Sequence, residues 1–189
     1  MARAGLSRAA VTQAALELID HHGIQALTLA KVAEHTGVAA PSLYKHVRNL
    51  AELRNQVSIR VVGELTERLT AAVMGRGGDQ ALRAAMWAYR QYVIEHPNRY
   101  AAFPQAPSSD PELAAAVGRL LEVVLAILRG YGLEGSAAIH AARCFRATAH
   151  GFASLQAAGA FRLPEDLDTT YDHLVGMLTT GIGQIQASQ

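Results

Sequence analysis

An all-α fold is predicted by three features of this 189-residue sequence. Apolar residues recur at the three- and four-residue spacing of amphipathic helices along most of the chain. The alternating pattern that is typical of β-strands is nearly absent. Residues that favour helix ends, such as Ser7 and the Asp110-Pro111 pair, separate the helical segments. Together these features predict eight or nine helices.

The first two helices are placed by their end signals. Ser7 is a favourable N-cap, and Gly23 stops the first helix as a C-terminal cap. Thr28 can cap a second, short helix that ends near His35. The Gly37-Val38 pair then predicts a tight turn.

The later helices are placed in the same way. A third helix runs from about Ala40 to Val47 with Pro41 in its first turn, and Asn49 caps a fourth, with Glu52 in a capping-box position. The remaining segments are a helix capped by Asp79 and ending before Pro97, one helical turn at 99–103, a helix from Asp110-Pro111-Glu112 to about Arg129, a helix from Ser136 to Gly159, and a last helix over 170–185. We expect residues 1–48 to form one domain and residues 49–189 a second, with the fourth helix as linker.

Composition favours a soluble protein of a reducing, cytoplasmic compartment. Cys144 is the one cysteine, so no internal disulfide can form. The sequence does not begin as a signal peptide, and no apolar run approaches the roughly 18 residues of a membrane span. Residues 1–60 contain seven Lys and Arg against four Asp and Glu, so this part of the chain would face a polyanion.

Residues 28–47 have the properties of a helix-turn-helix. Ala33 is small enough for two helices to cross closely, and Gly37 can adopt the left-handed backbone of a tight turn. A small apolar core fixes the crossing angle of the two helices: Val32, Val38 and Leu43. The second helix of such a motif can enter the major groove of DNA.

Residues 14–53, AALELIDHHGIQALTLAKVAEHTGVAAPSLYKHVRNLAEL, resemble the tetracycline-repressor-like (TetR) family of transcription regulators. The resemblance implies an all-helical homodimer with two N-terminal DNA-binding heads, and repression that a small molecule relieves. A two-fold protein of this kind recognises a near-palindromic operator with half-sites about one turn apart. The implied partners are double-stranded operator DNA, a second copy of the chain and a small-molecule effector.

The resemblance also implies which side chains contact DNA. The matching positions are Thr28, Lys31, Pro41, Ser42, Tyr44, Lys45 and His46. Tyr44 and His46 would meet phosphates, and Ser42 and Lys45 would carry most of the base readout.

Three positions depart from the family pattern. Ala30 and Ala40 stand where relatives often have longer polar base-readers, and Leu50 stands where many have a phosphate-binding lysine. Direct base readout is therefore expected to be sparse. Arg3 and Arg8 could add an arm in an adjacent groove.

The C-terminal half resembles a subgroup of the same family that is marked by a Trp-x-x-His-Gly pattern. The segment RATAHGFASLQAAGAF, residues 146–161, has His150-Gly151 in place, but Ala147 stands in the tryptophan position. EHPNRYAAF, residues 95–103, is also similar to that subgroup.

The last two long helices have the pattern of a dimer interface, in which small residues allow close approach and two helices from each chain form a four-helix bundle. The candidate interface residues are Ala147, Gly151, Leu155, Leu174, Met177, Leu178, Gly181, Ile182 and Ile185. Burial of these faces against the chain's own core is the alternative.

Aromatic and soft residues in the middle helices are candidates for an effector pocket, which would favour an uncharged or aromatic ligand. These residues are Met86, Trp87, Tyr89, Tyr92, Phe103 and Phe152. A plain helical core is the alternative for the same residues.

Metal and enzyme chemistry are not favoured. His21-His22 and the His140, Cys144 pair each supply two ligands, which is fewer than a metal site needs. Ser154, His150 and Asp166 make a triad only on paper, since no nucleophile elbow or glycine-rich phosphate loop is present. We therefore expect no catalytic residues, no metal and no cofactor. Two rival functions stay open: a regulator without an inducer, and a helical ligand-binding or enzymatic protein with a vestigial DNA-binding head.

Overall fold

The computed structural model describes residues 6–187, with side chains as far as Ile185. Helices follow one another through this range without a β-strand, which confirms the all-α prediction. The helices are α1 (Arg8–His22), a 3₁₀ turn (Ile24–Ala26), α2 (Leu29–Thr36), α3 (Ala40–Leu43), α4 (Leu50–Val73), α5 (Gly78–Glu95), α6 (Pro97–Tyr100), α7 (Pro111–Arg129), α8 (Gly135–Ala157) and α9 (Leu167–Ala187). Within the described residues, none of them is both long and apolar enough to cross a membrane.

The chain forms two compact units. The first holds the described residues as far as Val62 together with His96–Val117, and the second holds Gly63–Glu95 and the residues from Gly118 onward. Helices α4 and α7 each continue from one unit into the other. Helix α6 and the start of α7 are thereby grouped with α1, α2 and α3, although the sequence pattern places them in a segment beginning at residue 49.

The predicted ends of α1 and α2 are confirmed. The Ser7 hydroxyl accepts from the Ala10 N–H at 3.1 Å, and the Thr28 hydroxyl accepts from the Lys31 N–H at 3.2 Å. Gly23 and Gly37 follow the two helices with φ of 75° and 66°, a region that glycine reaches without a Cβ clash.

Helix α3 is shorter than predicted. It ends at Leu43, and residues 44–46 continue as hydrogen-bonded turns. The His46 N–H donates to the Leu43 carbonyl at 2.8 Å, a three-residue bond that tightens the backbone, and the Val47 N–H donates to the same oxygen at 3.0 Å. The chain therefore keeps turning in the helical sense as far as the buried residue Val47, although it is not a regular α-helix there.

The start of α4 is capped at two points. The Asn49 side-chain oxygen accepts from the Glu52 N–H at 2.9 Å, as predicted. The Glu52 carboxylate accepts from the backbone N–H of Arg48 at 2.7 Å, one residue before the partner that a capping box uses. This bond is the main reason that the pKa of Glu52 lies below its usual value.

Three predicted helix starts were wrong. Helix α5 begins at Gly78, and Asp79 in its first turn accepts instead from the Tyr131 hydroxyl at 2.7 Å. Burial and this carboxylate together raise the pKa of Tyr131. Helix α8 begins at Gly135, which leaves Ser136 inside the first turn. Helix α9 begins three residues early because the Asp166 carboxylate accepts from the Thr169 N–H at 2.7 Å.

Helices α5, α8 and α9 pack together in the second unit. Four apolar residues at helical spacing form the buried stripe of α5: Leu82, Met86, Tyr89 and Val93. It is covered by apolar residues of α8 and α9, among them Phe145, Ala149, Phe152, Tyr171 and Val175. Dense apolar packing of this kind is the main source of stability in a helical domain.

Asp110 should give the first unit a pH-dependent stability. Its carboxylate accepts from the Leu113 N–H at 2.9 Å and from Asn55 Nδ2 at 3.2 Å, and the first bond is the main cause of a lowered pKa. A carboxylate whose pKa is lower in the folded chain stabilises the fold above its unfolded pKa of about 4 and loses that contribution as pH falls through its folded pKa. We expect Asp110→Asn to lower the melting temperature at neutral pH, and the difference between the two proteins to shrink as pH falls through the folded pKa of Asp110.

Circular dichroism melts across that pH range measure this difference. Asparagine keeps the oxygen that caps α7, but its amide nitrogen replaces the oxygen that accepts from Asn55, so the variant removes the charge and that second bond. Glu67→Gln is the matched control, because Glu67 is exposed and forms no hydrogen bond or ion pair within residues 6–187. A melting-temperature difference for Asp110→Asn that stays constant with pH would contradict the assignment.

Candidate nucleic-acid interface

The turn between α2 and α3 is tightly constrained. The N–H groups of Gly37 and Val38 donate to the Glu34 and Ala33 carbonyls, each at 3.0 Å, which satisfies the end of α2. Ala33 is buried at the helix crossing, as its size predicts. Val38 was predicted to belong to the small apolar core but is only half-buried. The buried residues of that core lie on either side of it: Val32, Leu43 and Val47.

Helix α1 supports this motif from behind. Leu18 and Ile19 of this helix are buried. Between the exposed edges of α1 and α2, His35 Nε2 lies 2.8 Å from the Glu17 carboxylate. This hydrogen bond is the largest cause of a lowered pKa at Glu17. The orientation of α2 on α1 is therefore held by apolar burial and by one polar contact.

All seven predicted DNA-contacting residues are accessible at the start of α2, on α3 and in the turn after it. Five are exposed and two are half-buried: Thr28, Lys31, Pro41, Tyr44 and Lys45, then Ser42 and His46. The Tyr44 ring is 57% exposed, which is unusual for a large aromatic residue in a well-packed unit. Lys31 and Lys45 have no carboxylate partner among the described residues. The surface thus presents free cations and hydroxyl donors, the groups that bind phosphate and base edges.

The predicted arginine arm is not supported at Arg8. Arg8 is the first residue of α1, and its guanidinium lies 3.6 Å from Glu52 and 3.6 Å from Glu112. These ion pairs make Arg8 part of the packed unit. Arg3 lies outside the described residues. Sequence reasoning missed Arg48, an exposed cation directly after the turn, whose Nε donates to Glu52 at 3.0 Å.

The candidate effector residues fall into separate clusters. In the second unit, the Trp87 and Phe152 rings both contact Tyr171, with centroids 5.2 and 4.9 Å apart, while Tyr89 meets Phe145 edge-on. Met86 is buried beside them and its carbonyl accepts from the Tyr171 hydroxyl. The Tyr92 hydroxyl donates to Glu64 at 3.0 Å. In the first unit, Phe103 stacks on Tyr100 at 5.2 Å.

Eight of the nine candidate dimer residues are at least partly accessible in the single chain. Ala147, Leu155 and Met177 are exposed, Met177 by 66%. Four others are half-buried on the same helices, together with Gly151: Leu174, Leu178, Gly181 and Ile185. A Cβ added at Gly151 or Gly181 would meet no atom within 4 Å. The surface over these glycines is therefore open to another helix.

Ile182 was wrongly predicted to belong to the dimer interface. Its side chain is 1% exposed within the chain itself, so it belongs to the core of the second unit and is not available to a partner. The helical pattern placed it on the same stripe as Leu178 and Ile185, but α9 packs against α5 and α8 through this position's side of the helix.

The polar groups considered for other chemistry do not assemble. Ser154 Oγ lies 3.3 Å from His150 Nδ1, one turn apart on α8, and burial is the main cause of a lowered pKa at His150. Within residues 6–187, no three His, Cys, Asp or Glu side chains gather as metal ligands would.

Comparison with known sequences identifies the class and then the family. Residues 11–57 match the profile described as "Bacterial regulatory proteins, tetR family", and residues 82–178 match "Tetracyclin repressor-like, C-terminal domain". An uncharacterized HTH-type transcriptional regulator of Mycobacterium tuberculosis is 39% identical over 168 residues, which is 88% of this chain and 76% of that one. YobS of Bacillus subtilis, an uncharacterized regulator of the same type, is 33% identical over 87% of this chain and 86% of its own. The class D tetracycline repressor of Escherichia coli is 30% identical over 49% of this chain and 42% of its own.

The chain is therefore a helix-turn-helix transcriptional regulator. It belongs to the TetR family, whose members bind DNA operators as dimers and typically respond to a small molecule.

Solved structures agree in fold. Apo ActR from Streptomyces coelicolor has a TM-score of 0.75 with 18% identity over 99% of both chains. BioQ bound to its double-stranded DNA operator has a TM-score of 0.70 with 17% identity, over 95% of this chain and 99% of BioQ.

The open surface at Gly151 predicts a clean dimer-breaking variant. Gly151→Arg adds a long cation where the protomer has space, so helicity should be unchanged or slightly raised. In a two-fold dimer the new arginine would stand at the interface in both copies, so the two protomers should be forced apart. We expect the variant to sediment as a monomer at concentrations where the wild-type chain is a dimer.

Analytical ultracentrifugation with circular dichroism measures both properties. Gly118→Arg on α7 is the matched control, since a Cβ there also meets nothing within 4 Å but the residue lies outside the candidate interface. A Gly151→Arg protein that stays dimeric would place the interface elsewhere.

Proposed function

We propose that this chain represses transcription as a homodimer bound to a near-palindromic operator, from which a small molecule releases it. The supporting observation is the accessible set of seven side chains around the α2–α3 turn, with two lysines that no described carboxylate neutralises. Residues 1–48 are the reading head in this proposal. Residues 49–189 bind the effector and form the dimer, with α4 as the link.

Readout would combine few base contacts with many phosphate contacts. Tyr44, His46 and Thr28 are assigned to phosphates, and Lys45 and Ser42 to base edges. Ala30, Ala40 and Leu50 offer no long polar side chain. Sequence discrimination would therefore depend partly on the fixed spacing of two heads on one duplex.

Helix α4 offers a physical route from the effector to the head. Within the first unit, Gln56 of α4 is 3.0 Å from the Thr12 hydroxyl of α1, and the Ser58 hydroxyl donates to the Ala102 carbonyl at 2.7 Å. Asn55 adds the bond to Asp110 described above. A displacement of α4 would thus move α1, and with it the recognition segment that begins at Ala40, nine residues before Asn49. Two states with different head spacing would bind one operator with different affinity.

Residues of the second unit support an assignment of the subgroup and of the chemical class of the effector. We assign the chain to the C-terminal subgroup with the His-Gly pattern on the strength of His150-Gly151, although Ala147 replaces the tryptophan. The aromatic residues of α5 and α8 support an uncharged or aromatic effector, as the sequence suggested.

A mobility-shift titration tests DNA recognition. The probe is the DNA that flanks the coding region, with unrelated DNA as competitor, and the variant is Tyr44→Ala with Lys45→Ala. We expect the wild-type shift to resist competition and the variant to lose roughly tenfold or more in affinity. The slope of log affinity against log salt should fall by about one for each Lys45 removed.

Arg162→Ala is the control, because Arg162 is an exposed cation of the second unit. It should leave both affinity and salt slope unchanged. If the double variant bound as tightly as the wild type, the α3 segment would not be the reading surface. The rival with a vestigial head predicts effector binding without any competitor-resistant shift.

A further inference from the structure

Arg90 of α5 is a buried cation with an unused donor. Its side chain is 1% exposed. Its Nε donates to Gln156 Oε1 at 2.8 Å and its Nη2 donates to Asp168 Oδ1 at 2.7 Å. Its Nη1 is fully buried and has no hydrogen-bond partner in the described part of the chain. A guanidinium can donate five hydrogen bonds and accept none, so only an acceptor from outside these residues can satisfy Nη1.

Three aromatic rings surround the same guanidinium. The Arg90 Cζ atom lies 4.9 Å from the Trp87 centroid, 4.9 Å from Tyr171 and 5.5 Å from Phe152, distances typical of cation–π contacts. Two of the rings are fixed by hydrogen bonds, from Tyr171 to the Met86 carbonyl and from Trp87 Nε1 to Asp172 at 3.2 Å. The result is a rigid aromatic wall around a charged donor.

Phe161 is the outermost ring of this cluster. It belongs to the segment between α8 and α9, in which residues 158–166 are all exposed. Its centroid lies 4.9 Å from that of Phe152. Phe161 is 38% exposed, so it lies at the solvent edge of the cluster, the position at which a ligand ring could take its place against Phe152.

The charges near Arg90 select against an anion. Asp168 neutralises the guanidinium directly and is 68% exposed. Asp166 and Asp172 add negative charge on the same side, at the start of α9. A carboxylate ligand would therefore add a further negative charge to a pair that is already balanced, whereas a neutral acceptor would not.

We propose that Arg90, Trp87, Phe152 and Tyr171 form the binding site for an uncharged aromatic compound with a carbonyl oxygen. The oxygen accepts from Arg90 Nη1, and the aromatic ring takes the place of Phe161 against Phe152. The site deepens the proposed function by naming its effector class, and it rests on that function only for the consequence that binding releases the operator. Asp168 is the specificity-determining residue, because its charge makes the site prefer a ketone to an acid.

Binding of three matched probes to the full-length protein without DNA tests the site. Acetophenone carries the carbonyl, ethylbenzene lacks the acceptor, and benzoate carries a charge. Trp87 is the chain's one tryptophan, so its emission reports occupancy at the proposed place. We expect saturable changes with acetophenone, and about tenfold weaker binding of ethylbenzene and of benzoate.

Two substitutions should act in opposite directions. Arg90→Met should reduce acetophenone affinity to the level of ethylbenzene, while Arg83→Met, an exposed arginine on the same helix, should leave it unchanged. Asp168→Asn should reverse the preference, so that benzoate binds several-fold more tightly than acetophenone. Asp168 is exposed, so this second variant decides the matter even if Arg90→Met does not fold.

The proposal is overturned if acetophenone does not bind saturably to the wild-type protein, if ethylbenzene binds equally well, or if Asp168→Asn leaves the order of the probes unchanged. Operator release is measured separately by adding acetophenone to the protein–DNA complex. Binding without release would leave the site in place and contradict the repressor mechanism instead.

Discussion

The structure depends above all on the tight crossing of α2 and α3 at Gly37. Its left-handed backbone allows two N–H groups to close the end of α2, and the buried residues on either side then fix the angle of the next segment. The side chains of Tyr44 and Lys45 owe their exposure to that angle. A residue with a Cβ at position 37 would be strained, and the surface assigned to DNA would be lost with the turn.

The second constraint is that the reading head does not pack alone. Asp20 at the end of α1 accepts from Asn98 and from Arg99, and Asp110 at the start of α7 accepts from Asn55 of α4. The segment 96–117 is thus bonded to α1 and to α4. A displacement of that segment would reach α1 and α4 through these hydrogen bonds.

Much of this architecture was predictable because its signals are local. Ser7, Thr28 and Asn49 cap the residue three positions ahead, so each prediction needed only a few letters of sequence. The start of α9 was misplaced although its cap, Asp166, is local. Two other errors arose where the deciding partner is distant. Asp79 looks like a cap, but Tyr131, far along the chain, takes its carboxylate. Ile182 fits the dimer stripe by spacing, yet periodicity does not distinguish the chain's own core from a partner's surface.

The buried role of Arg90 was missed for a related reason. Arg90 lies one turn after Met86 on the apolar stripe of α5. A cation at a position expected to be apolar was the only sign in the sequence that it is buried. Its partners Gln156 and Asp168 come from two other helices, so only the folded chain brings them together. The seven candidate DNA-contacting residues could be named in advance because the family resemblance placed them, while the candidate effector residues had no motif to place them.

Selection of bound sequences from a random double-stranded DNA pool tests the central claim most directly. If two heads of one dimer read DNA through the α3 segment, the enriched sequences should share an inverted repeat. Its half-sites should lie about one helical turn apart, or a multiple of it. The enrichment should disappear with the Tyr44→Ala, Lys45→Ala variant. Enrichment of single half-sites, or no enrichment above the unselected pool, would contradict a dimeric DNA-reading regulator.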